Sequence, residues 1–396
     1  MNRDLQALIR KRSADLWPKV RAYREHLHAH PELSYQEFET MKYVSTVLTS
    51  IGIPHESGIG GTGVVGIIRG DHHTEEQACV GLRADLDALP IQEENDVPYK
   101  SKKDGIMHAC GHDVHTSILL GAAELLYELR NQLPQPVKLV FQPGEEKNPG
   151  GATYMIRDGV LEQPPVERMF ALHVFPDMNV GNIGFKEGIY MASCDEIYLT
   201  IHGKGGHGAT PHNCIDPIMI GANILTTLQQ IVSRKCDPKI PCVLSFGHFE
   251  ALGATNVIPS KAILKGTFRT MNEPWRAEAL TLIKHTAEQI AAASGGSVTV
   301  EISKGYPYLE NDPQTTQRMR DLSTIFLGEE KVEELPIRLT AEDFSYYSQE
   351  VPVCFFRLGV RNEEKGIVHG VHHPNFDIDP ESLKIGIQLM SLAPFS

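Results

Sequence analysis

The chain has 396 residues, of which 41% are apolar and 22% charged, an ordinary composition for a globular protein. Because this length exceeds what one hydrophobic core usually supports, we expect two domains. The formal net charge is −13, from 37 basic and 50 acidic residues, and no Lys/Arg run is present. This balance argues against a nucleic-acid-binding surface, although a local cationic pocket for an anionic substrate remains compatible with it.

The sequence carries no obvious targeting signal. The N-terminal stretch MNRDLQALIRKRSADLW mixes charges among its apolar residues, and no apolar run is long enough to span a membrane. We therefore expect a cytoplasmic protein with no membrane partner. The seven cysteines form no CxxC pair, so a disulfide framework is not expected. Most should be small buried apolar residues, but Cys110 stands among polar, metal-binding residue types.

The first half alternates helical and strand patterns. A helix is predicted near 14–30, and Ser34 with Glu37 fits a capping box that begins a second helix. The apolar spacing over 116–133 is that of an amphipathic helix. Short apolar runs predict buried strands at 64–69, 79–84, 137–142 and 169–174. This order indicates an α/β sheet covered by helices on both faces.

Residues 195–303 follow a different pattern. Predicted strands at 196–202, 242–249, 261–270 and 297–303 alternate with predicted helices at 216–234 and 274–293. The order βαββαβ is the split βαβ, ferredoxin-like arrangement. We interpret residues 191–304 as a small domain inserted into a larger α/β domain, which comprises residues 1–190 and 305–396.

Metal-binding side chains follow three predicted buried strands. Asp85 and Asp87 come after the strand at 79–84, Glu145 and Glu146 after 137–142, and His173 is expected at the end of 169–174. In open α/β sheets, ligands bind beyond the carboxyl ends of the strands. These residues should therefore converge at one edge, where the segment HACGHDVH (108–115) joins them at the start of the next helix.

The residue types at this edge suit a divalent metal. Cys110 and His112 are two apart, so in an extended loop both side chains would face the same way. Thiolate, imidazole and carboxylate together fit zinc, and manganese, nickel or cobalt are chemically admissible. The alternative is a buried structural cysteine with surface histidines, and adjacent glutamates are often a solvated turn. A carboxylate base beside a metal-bound water would fit hydrolysis.

At this point the chain resembles the M20 metallopeptidase superfamily, in the amidohydrolase branch that includes hippurate hydrolase, N-acyl-amino-acid deacylases and auxin-conjugate hydrolases. The matching segments span nearly the whole chain in order: REHLHAHPELS (24–34), LRADLDALPIQE (82–93), MHACGHDVHT (107–116), FQPGEE (141–146), ALHV (171–174), GKGGHGATPH (203–212), ATNVIPS (254–260), GTFRT (266–270), AEDFSYY (341–347) and VHHPNFDID (371–379).

The resemblance implies roles for individual residues. Two divalent ions would be held by Cys110, His112, Glu146, His173 and His372, with Cys110 shared between them. His372 matches the family ligand better than His373, because the ligand stands two residues before the proline. Glu145 would be the general base and acid. Asp85 and Asp87 resemble residues that orient metal ligands, although a plain strand-capping role is an equal alternative.

The resemblance also implies roles for the inserted domain. It would be a lid and a dimerisation domain, giving a homodimer or a dimer of dimers. His207 would be a catalytic group acting in the neighbouring subunit, and Asn256 and Arg269 would bind substrate. A loop histidine and a strand-end surface charge are the plain alternatives for His207 and Arg269.

The implied reaction is hydrolysis of an N-acyl amino acid, a small-molecule amide, by a metal-activated water. Two rival functions remain: a dipeptidase or aminopeptidase of the same superfamily, and a non-catalytic metal-binding protein, against which Glu145 beside a full ligand set argues. The chain departs from the family pattern at EEKNPGGA (145–152) and at Thr340, which stands where glycine is usual. These departures put the choice of substrate in doubt.

Overall fold

The structure, a computed structural model, describes residues 3–396, and the chain divides into two compact units. The first unit comprises the described residues up to Tyr190 together with Glu310–Ile337 and Asp343–Ser396. The second comprises Met191–Leu309 and Arg338–Glu342. The chain therefore returns to the first unit at Glu310 rather than at residue 305, and Arg338–Glu342 is a further segment of the second unit. Within residues 3–396, no helix combines the length and apolar character needed to cross a bilayer.

Among the described residues up to Met191, the chain forms four α-helices and seven strands. They are α1 (Arg3–Ala29), α2 (Phe38–Ile51), β1 (His55–Ile59), β2 (Gly63–Ile68), β3 (Cys79–Asp85), α3 (His112–Glu128), β4 (Val137–Gln142), α4 (Gly151–Arg157), β5 (Val166–Asn179), β6 (Ile183–Phe185) and β7 (Gly188–Met191). The buried strands β3 and β4 match the apolar runs that predicted them.

Helix α2 begins differently from the prediction. The expected capping box of Ser34 and Glu37 is wrong, because α2 starts at Phe38 and has no side-chain cap. The Ser34 hydroxyl donates to Asp87 Oδ2 at 2.6 Å instead. The Glu37 carboxylate accepts from Thr62 Oγ1 at 2.6 Å and from the backbone N of Gly144 at 2.8 Å. Both side chains therefore make hydrogen bonds to residues distant in the sequence, around the loop that carries Glu145.

The second unit has the predicted βαββαβ order. Its main elements are β8 (Asp195–His202), β9 (Gly206–His207), α5 (Pro217–Gln230), β10 (Cys242–Glu250), β11 (Val257–Ile258), β12 (Lys261–Thr270), α6 (Glu273–Ala293) and β13 (Ser297–Lys304). The sheet order is β10-β12-β8-β13, with every neighbouring pair antiparallel. This is the ferredoxin-like topology, which confirms the predicted fold of the insert. Helices α5 and α6 pack on the sheet over an apolar core.

The remaining elements complete the first unit, except that β14 begins at the last residue of the second. They are β14 (Leu309–Asn311), α7 (Pro313–Leu327), β15 (Val332–Glu334), α8 (Ser345–Ser348), β16 (Val353–Arg361) and α9 (Glu381–Leu392). The large sheet has eight strands in the order β1-β2-β4-β3-β5-β16-β6-β15. Its central strands β4, β3, β5 and β16 are parallel, and α3 packs between them and helices α1 and α9. The predicted α/β class is confirmed.

The chain segments that leave and re-enter the first unit lie side by side. In that unit, Asn311 Nδ2 donates to the carbonyl of Lys186 at 2.7 Å. In the second unit, the backbone N of Cys194 donates to the carbonyl of Tyr306 at 3.0 Å. In each unit, a hydrogen bond therefore links the chain segment near residue 190 with the segment near residue 309.

Candidate metal centre and active site

The five predicted metal ligands converge at the carboxyl edge of the large sheet. Their ligand atoms fall into three groups, within each of which all atoms lie within 4.8 Å of one another. The groups are Cys110 with His112 and His173, Cys110 with Glu146 and His372, and His112 with Glu145 and Glu146. Cys110, His112 and Glu146 each belong to two of the groups, so the three groups overlap. Cys110 is the member common to the group of His173 and the group of His372.

A tight turn before α3 presents Cys110 and His112. The expectation of an extended loop is wrong, because Gly111 has φ 82° and His112 is the first residue of the helix. A Cβ at residue 111 would come within 2.6 Å of Val174 Cγ2, so glycine is needed both for the backbone conformation and for the close approach. Cys110 Sγ still lies 3.4 Å from His173 Nε2. His173 itself is not at a strand end, since β5 continues to Asn179.

Asp87 connects the residues of this edge. Its Oδ1 lies 3.2 Å from His112 Nδ1 and accepts from the backbone N of Glu145 at 3.0 Å. Its Oδ2 accepts from the backbone N of Glu146 at 2.9 Å and from the Ser34 hydroxyl. One buried carboxylate thus orients a candidate ligand and fixes the backbone of both glutamates. Ser34, which the sequence assigned to a helix cap, is part of this arrangement.

Asp85 has a different set of contacts. It accepts from Arg83 Nη1 at 2.6 Å and contacts His115 Nδ1 at 2.6 Å, while His112 Nε2 lies 3.7 Å away. The other ring nitrogen of His115 accepts from the backbone N of Val174 at 2.9 Å. Because both nitrogens of His115 have partners, this histidine braces Asp85 and strand β5. His115 has no predicted role, although its place on the buried side of α3, three residues after His112, is a usable signal.

Of the two adjacent histidines in the C-terminal segment, the structure brings His372 to the cluster. His372 Nε2 lies 3.3 Å from Glu146 Oε1, whereas His373 stacks on His369 and accepts from the backbone N of Asn375. His372 has φ 63°, a conformation that non-glycine residues seldom adopt. Its backbone N donates to the carbonyl of Ala109 at 2.7 Å. A strained backbone held by a neighbouring segment is typical of functional sites.

The electrostatics of the cluster favour a bound cation. Burial and the carboxylates of Glu146 and Glu145 raise the pKa of the Cys110 thiol well above its ordinary value. Burial opposes protonation of His112, but the Asp85 and Asp87 carboxylates outweigh it and raise the pKa of this imidazole to about 10. In the absence of metal, these carboxylates stabilise the protonated, positively charged form of His112. A bound divalent ion would supply the positive charge instead.

Two buried atoms mark where a cation would bind. His112 Nε2 and Glu146 Oε1 are inaccessible to solvent and lack a hydrogen-bond partner among residues 3–396. Both face the interior of the cluster, 3.9 Å apart. Leaving such groups unpaired is costly, and a metal ion between them would satisfy both. The side chains present therefore fit a metal centre.

The second unit contains the other three predicted site residues. His207 lies in β9 opposite Val257 of β11, and the backbone N of Gly208 donates to the carbonyl of Asn256 at 2.8 Å. The structure thus brings His207 and Asn256 together. The backbone N of Ala209 donates to His207 Nδ1 at 3.0 Å, so a neutral ring carries its proton on Nε2. Arg269 lies in β12, and its Nη1 is buried without a hydrogen-bond partner within residues 3–396.

Comparison with known families agrees with this geometry. The sequence profile of peptidase family M20/M25/M40 matches residues 81–394. This chain belongs to the M20 family. The resemblance seen in the sequence is thereby confirmed, and the protein is an amide-bond hydrolase of a metal-binding enzyme family.

Individual M20 relatives differ in what they act on. The chain is 40% identical to N-acetyl-L-cysteine deacetylase of Bacillus subtilis, covering 91% of this chain and 83% of that one. It is 39% identical to thermostable carboxypeptidase 2 of Saccharolobus solfataricus, covering 92% and 91%. Among solved structures, a dinuclear metal-binding peptidase of the M20 family from Bacillus subtilis is 33% identical, with a TM-score of 0.80 over 96% of this chain and 98% of that one.

Proposed function

We propose that this protein hydrolyses N-acyl amino acids to a carboxylic acid and a free amino acid. The observation that carries the proposal is the position of Glu145 beside two buried atoms that make no hydrogen bond within residues 3–396, His112 Nε2 and Glu146 Oε1. Glu145 Oε2 lies 4.0 Å from His112 Nε2, and its backbone is fixed by Asp87. A carboxylate placed in this way suits a general base next to a metal centre.

Five residues would hold the metal in this proposal: Cys110, His112, Glu146, His173 and His372. The mixed sulfur, nitrogen and oxygen donors suit zinc, with manganese, nickel or cobalt as the other candidates. When bound, two such ions would polarise the amide carbonyl and lower the pKa of a water molecule to about 7. Cys110 would be the shared ligand, because its thiol lies in one group with His173 and in another with His372.

Glu145 would move the proton. It would accept a proton from the attacking water and then deliver it to the leaving nitrogen, so that the amine departs neutral. Asp87 would keep Glu145 and His112 in fixed relation, because both contact the same carboxylate oxygen. Fixed donors and acceptors of this kind lower the reorganisation needed during reaction.

The inserted domain would complete the site in a homodimer, or in a dimer of dimers. His207 is exposed, and its Nδ1 accepts a hydrogen bond, which leaves Nε2–H as a donor suited to a developing oxyanion in the neighbouring subunit. Asn256 and Arg269 would hold the substrate carboxylate, for which a guanidinium has matching geometry. The apolar side chains of Met219, Phe249 and Leu252 are exposed on this unit, which supports a second copy of the chain as their cover.

Mixed dimers test the arrangement in trans. His207→Ala and Glu145→Gln should each be nearly inactive alone. A verified heterodimer of the two has one site with intact Glu145 and the partner's intact histidine, so it should recover activity. If His207 acted within its own chain, every site would lack one group, and failure of verified heterodimers to recover would refute the trans arrangement.

A substrate panel distinguishes the proposed function from its rivals. An N-acyl amino acid and the C-terminal residue of a peptide both place a free carboxylate on the leaving side. The metal-loaded enzyme should therefore be compared on N-acetyl and N-benzoyl amino acids, on their carboxamides, and on dipeptides with a free amine. We expect acyl amino acids to be cleaved and the carboxamides to be poor substrates. Preference for free dipeptides would favour the peptidase, and full metal loading without turnover would favour a non-catalytic protein.

The cellular location remains a prediction. We expect a cytoplasmic enzyme, and subcellular fractionation of the native host would test this expectation.

A further inference from the structure

A buried arginine, Arg24, lies between the two segments that carry His112 and His372. Arg24 is 1% exposed and belongs to α1. Its Nε donates to Asp113 Oδ2 at 2.8 Å, and its Nη2 donates to Asp377 Oδ1 at 2.8 Å. Asp113 directly follows His112, and Asp377 lies in the segment that follows His372. One planar guanidinium thus ties the start of α3 to the C-terminal segment.

Other side chains brace the same arginine. Tyr99 places its ring 4.7 Å from the guanidinium carbon and donates its hydroxyl to Asp377 Oδ2 at 2.8 Å. His28 contacts Asp113 Oδ2 through Nδ1 at 2.8 Å and Glu93 Oε1 through Nε2 at 3.1 Å. The backbone N of Glu94 donates to the carbonyl of Pro374 at 3.0 Å. The arginine therefore belongs to a rigid network.

Stability alone is a weak reason for this network. Taking a guanidinium and carboxylates out of water is costly, and apolar groups of similar volume often stabilise a fold as well or better. What apolar packing cannot supply is a planar fork with two fixed directions, one toward each carboxylate. The two hydrogen bonds of the fork fix the distance between the start of α3 and the C-terminal segment. Each of these segments carries a candidate metal ligand.

We propose that Arg24 is a positioning residue that sets the separation of His112 and His372 and thereby allows the site to hold two metal ions at once. The inference rests on the proposed metal site. It predicts that loss of Arg24 lowers the affinity for the ion on the His372 side of the site more than the affinity for the ion on the His112 side.

The inequality follows from how each histidine is held. The His112 side chain is fully buried and contacts Asp87 directly. The His372 side chain is 52% exposed, so its position depends on its backbone and on the segment that follows it. Without Arg24, Asp377 loses its link to α1, and the His372 segment should shift more than His112. The ion bound by Cys110, Glu146 and His372 should therefore be weakened first.

The test compares two matched variants. Arg24→Met keeps an unbranched, flexible side chain, although a shorter one, and removes the charged fork. Arg276→Met is the control, because Arg276 is equally buried, donates to Asp195 at 2.7 and 2.8 Å, and lies in the second unit. Metal-free protein is titrated with zinc, affinities are measured by calorimetry, and bound metal is counted by elemental analysis. Loss of an orienting contact behind a metal ligand typically weakens metal binding about 10–100-fold.

Wild type and Arg276→Met should each bind two ions per chain, and the affinities measured for Arg276→Met should equal those of the wild type. Arg24→Met should retain one tight ion and bind the second at least about 10-fold more weakly, and Arg24→Lys should lie between. Two ions bound with wild-type affinity by Arg24→Met, or equal losses in Arg276→Met, would overturn the inference. If Arg24→Met does not fold, Asp377→Ala removes the acceptor of Arg24 Nη2, and with it only the arm toward His372. This variant should give the same selective loss. A wild type that binds no metal would instead refute the proposed function.

Discussion

Asp87→Asn is the substitution whose effect the structure defines most closely. Oδ1 of Asp87 serves His112 and the backbone N of Glu145, whereas Oδ2 serves Ser34 and the backbone N of Glu146. Asparagine has one oxygen, so one of these pairs must face an NH₂ group. The Ser34 hydroxyl can rotate and accept from that group, but a backbone N–H cannot. We therefore expect the amide nitrogen to turn toward Ser34 and Glu146.

The magnitude follows from that orientation. The backbone N of Glu146 loses a hydrogen bond to a charged acceptor, which is worth about 1.5–3 kcal/mol. The negative charge behind His112 also disappears, so the imidazole becomes a weaker ligand. Together these effects should lower metal affinity about 10–100-fold, as is typical for groups that orient metal ligands. In the variant, the proposed ligand Glu146 loses a backbone hydrogen bond, whereas the proposed base Glu145 keeps its own. The affinity for metal should therefore fall by a larger factor than the turnover of those molecules that still hold metal.

The assay separates this effect from general destabilisation. Urea unfolding of the metal-free protein gives the change in the free energy of unfolding, and zinc titration gives the affinity. Asp195→Asn is the matched control, since Asp195 is a buried carboxylate that accepts several hydrogen bonds in the second unit. The control should lose stability and keep its zinc affinity. Wild-type affinity and turnover in Asp87→Asn would refute the assignment of Asp87 as an orienting residue.

Three further predictions follow from the same site. Prolonged chelation should abolish amidase activity and zinc, manganese or cobalt should restore it, whereas full activity of verified metal-free enzyme would contradict the metal centre. Glu145→Gln should lower turnover at least about 100-fold with little change in metal content. Glu146→Gln should lose metal, as measured by elemental analysis. If Glu145→Gln loses metal and Glu146→Gln does not, the two residues have the opposite roles. Burial and the Asp87 carboxylate raise the pKa of Glu37 to about 7 from 4.5, so the unfolded chain releases this proton before the folded chain does. The free energy of unfolding of the metal-free protein should therefore fall as pH rises through this window, by up to about 3 kcal/mol, and Glu37→Gln should remove that fall; parallel pH profiles would contradict the shift.

The sequence predicted the elements that are defined by apolar periodicity. Strands β4 and β12 have the bounds expected from their patterns, and the βαββαβ order of the second unit is confirmed. The convergence of Cys110 with Glu146 and His173 was also foreseeable, because strands of a parallel sheet deliver their carboxyl ends to one edge. These features depend on local pattern and on general topology.

The features that the sequence missed depend on side-chain partners far away in the chain. Ser34 and Glu37 have the spacing of a capping box, yet their tertiary partners at Asp87, Thr62 and Gly144 take precedence. The sequence predicts an extended loop at Gly111 rather than a turn, since nothing local indicates that Val174 approaches this residue. Arg24 offered one signal, namely a charged residue on the apolar face of α1 between Val20 and Leu27.

The paired chain ends of the second unit bear on the order of folding. If the first unit folded while Met191–Leu309 was still a random coil, it would have to close a loop of that length, at an entropic cost of about 4 kcal/mol. A second unit that folds first brings Cys194 and Tyr306 within hydrogen-bonding distance and removes most of that cost. The folded ferredoxin-like unit would then act as a folding nucleus, because it shortens the loop that the first unit has to close. Mutations in its core would slow folding of the whole enzyme, even where they leave the proposed metal ligands untouched.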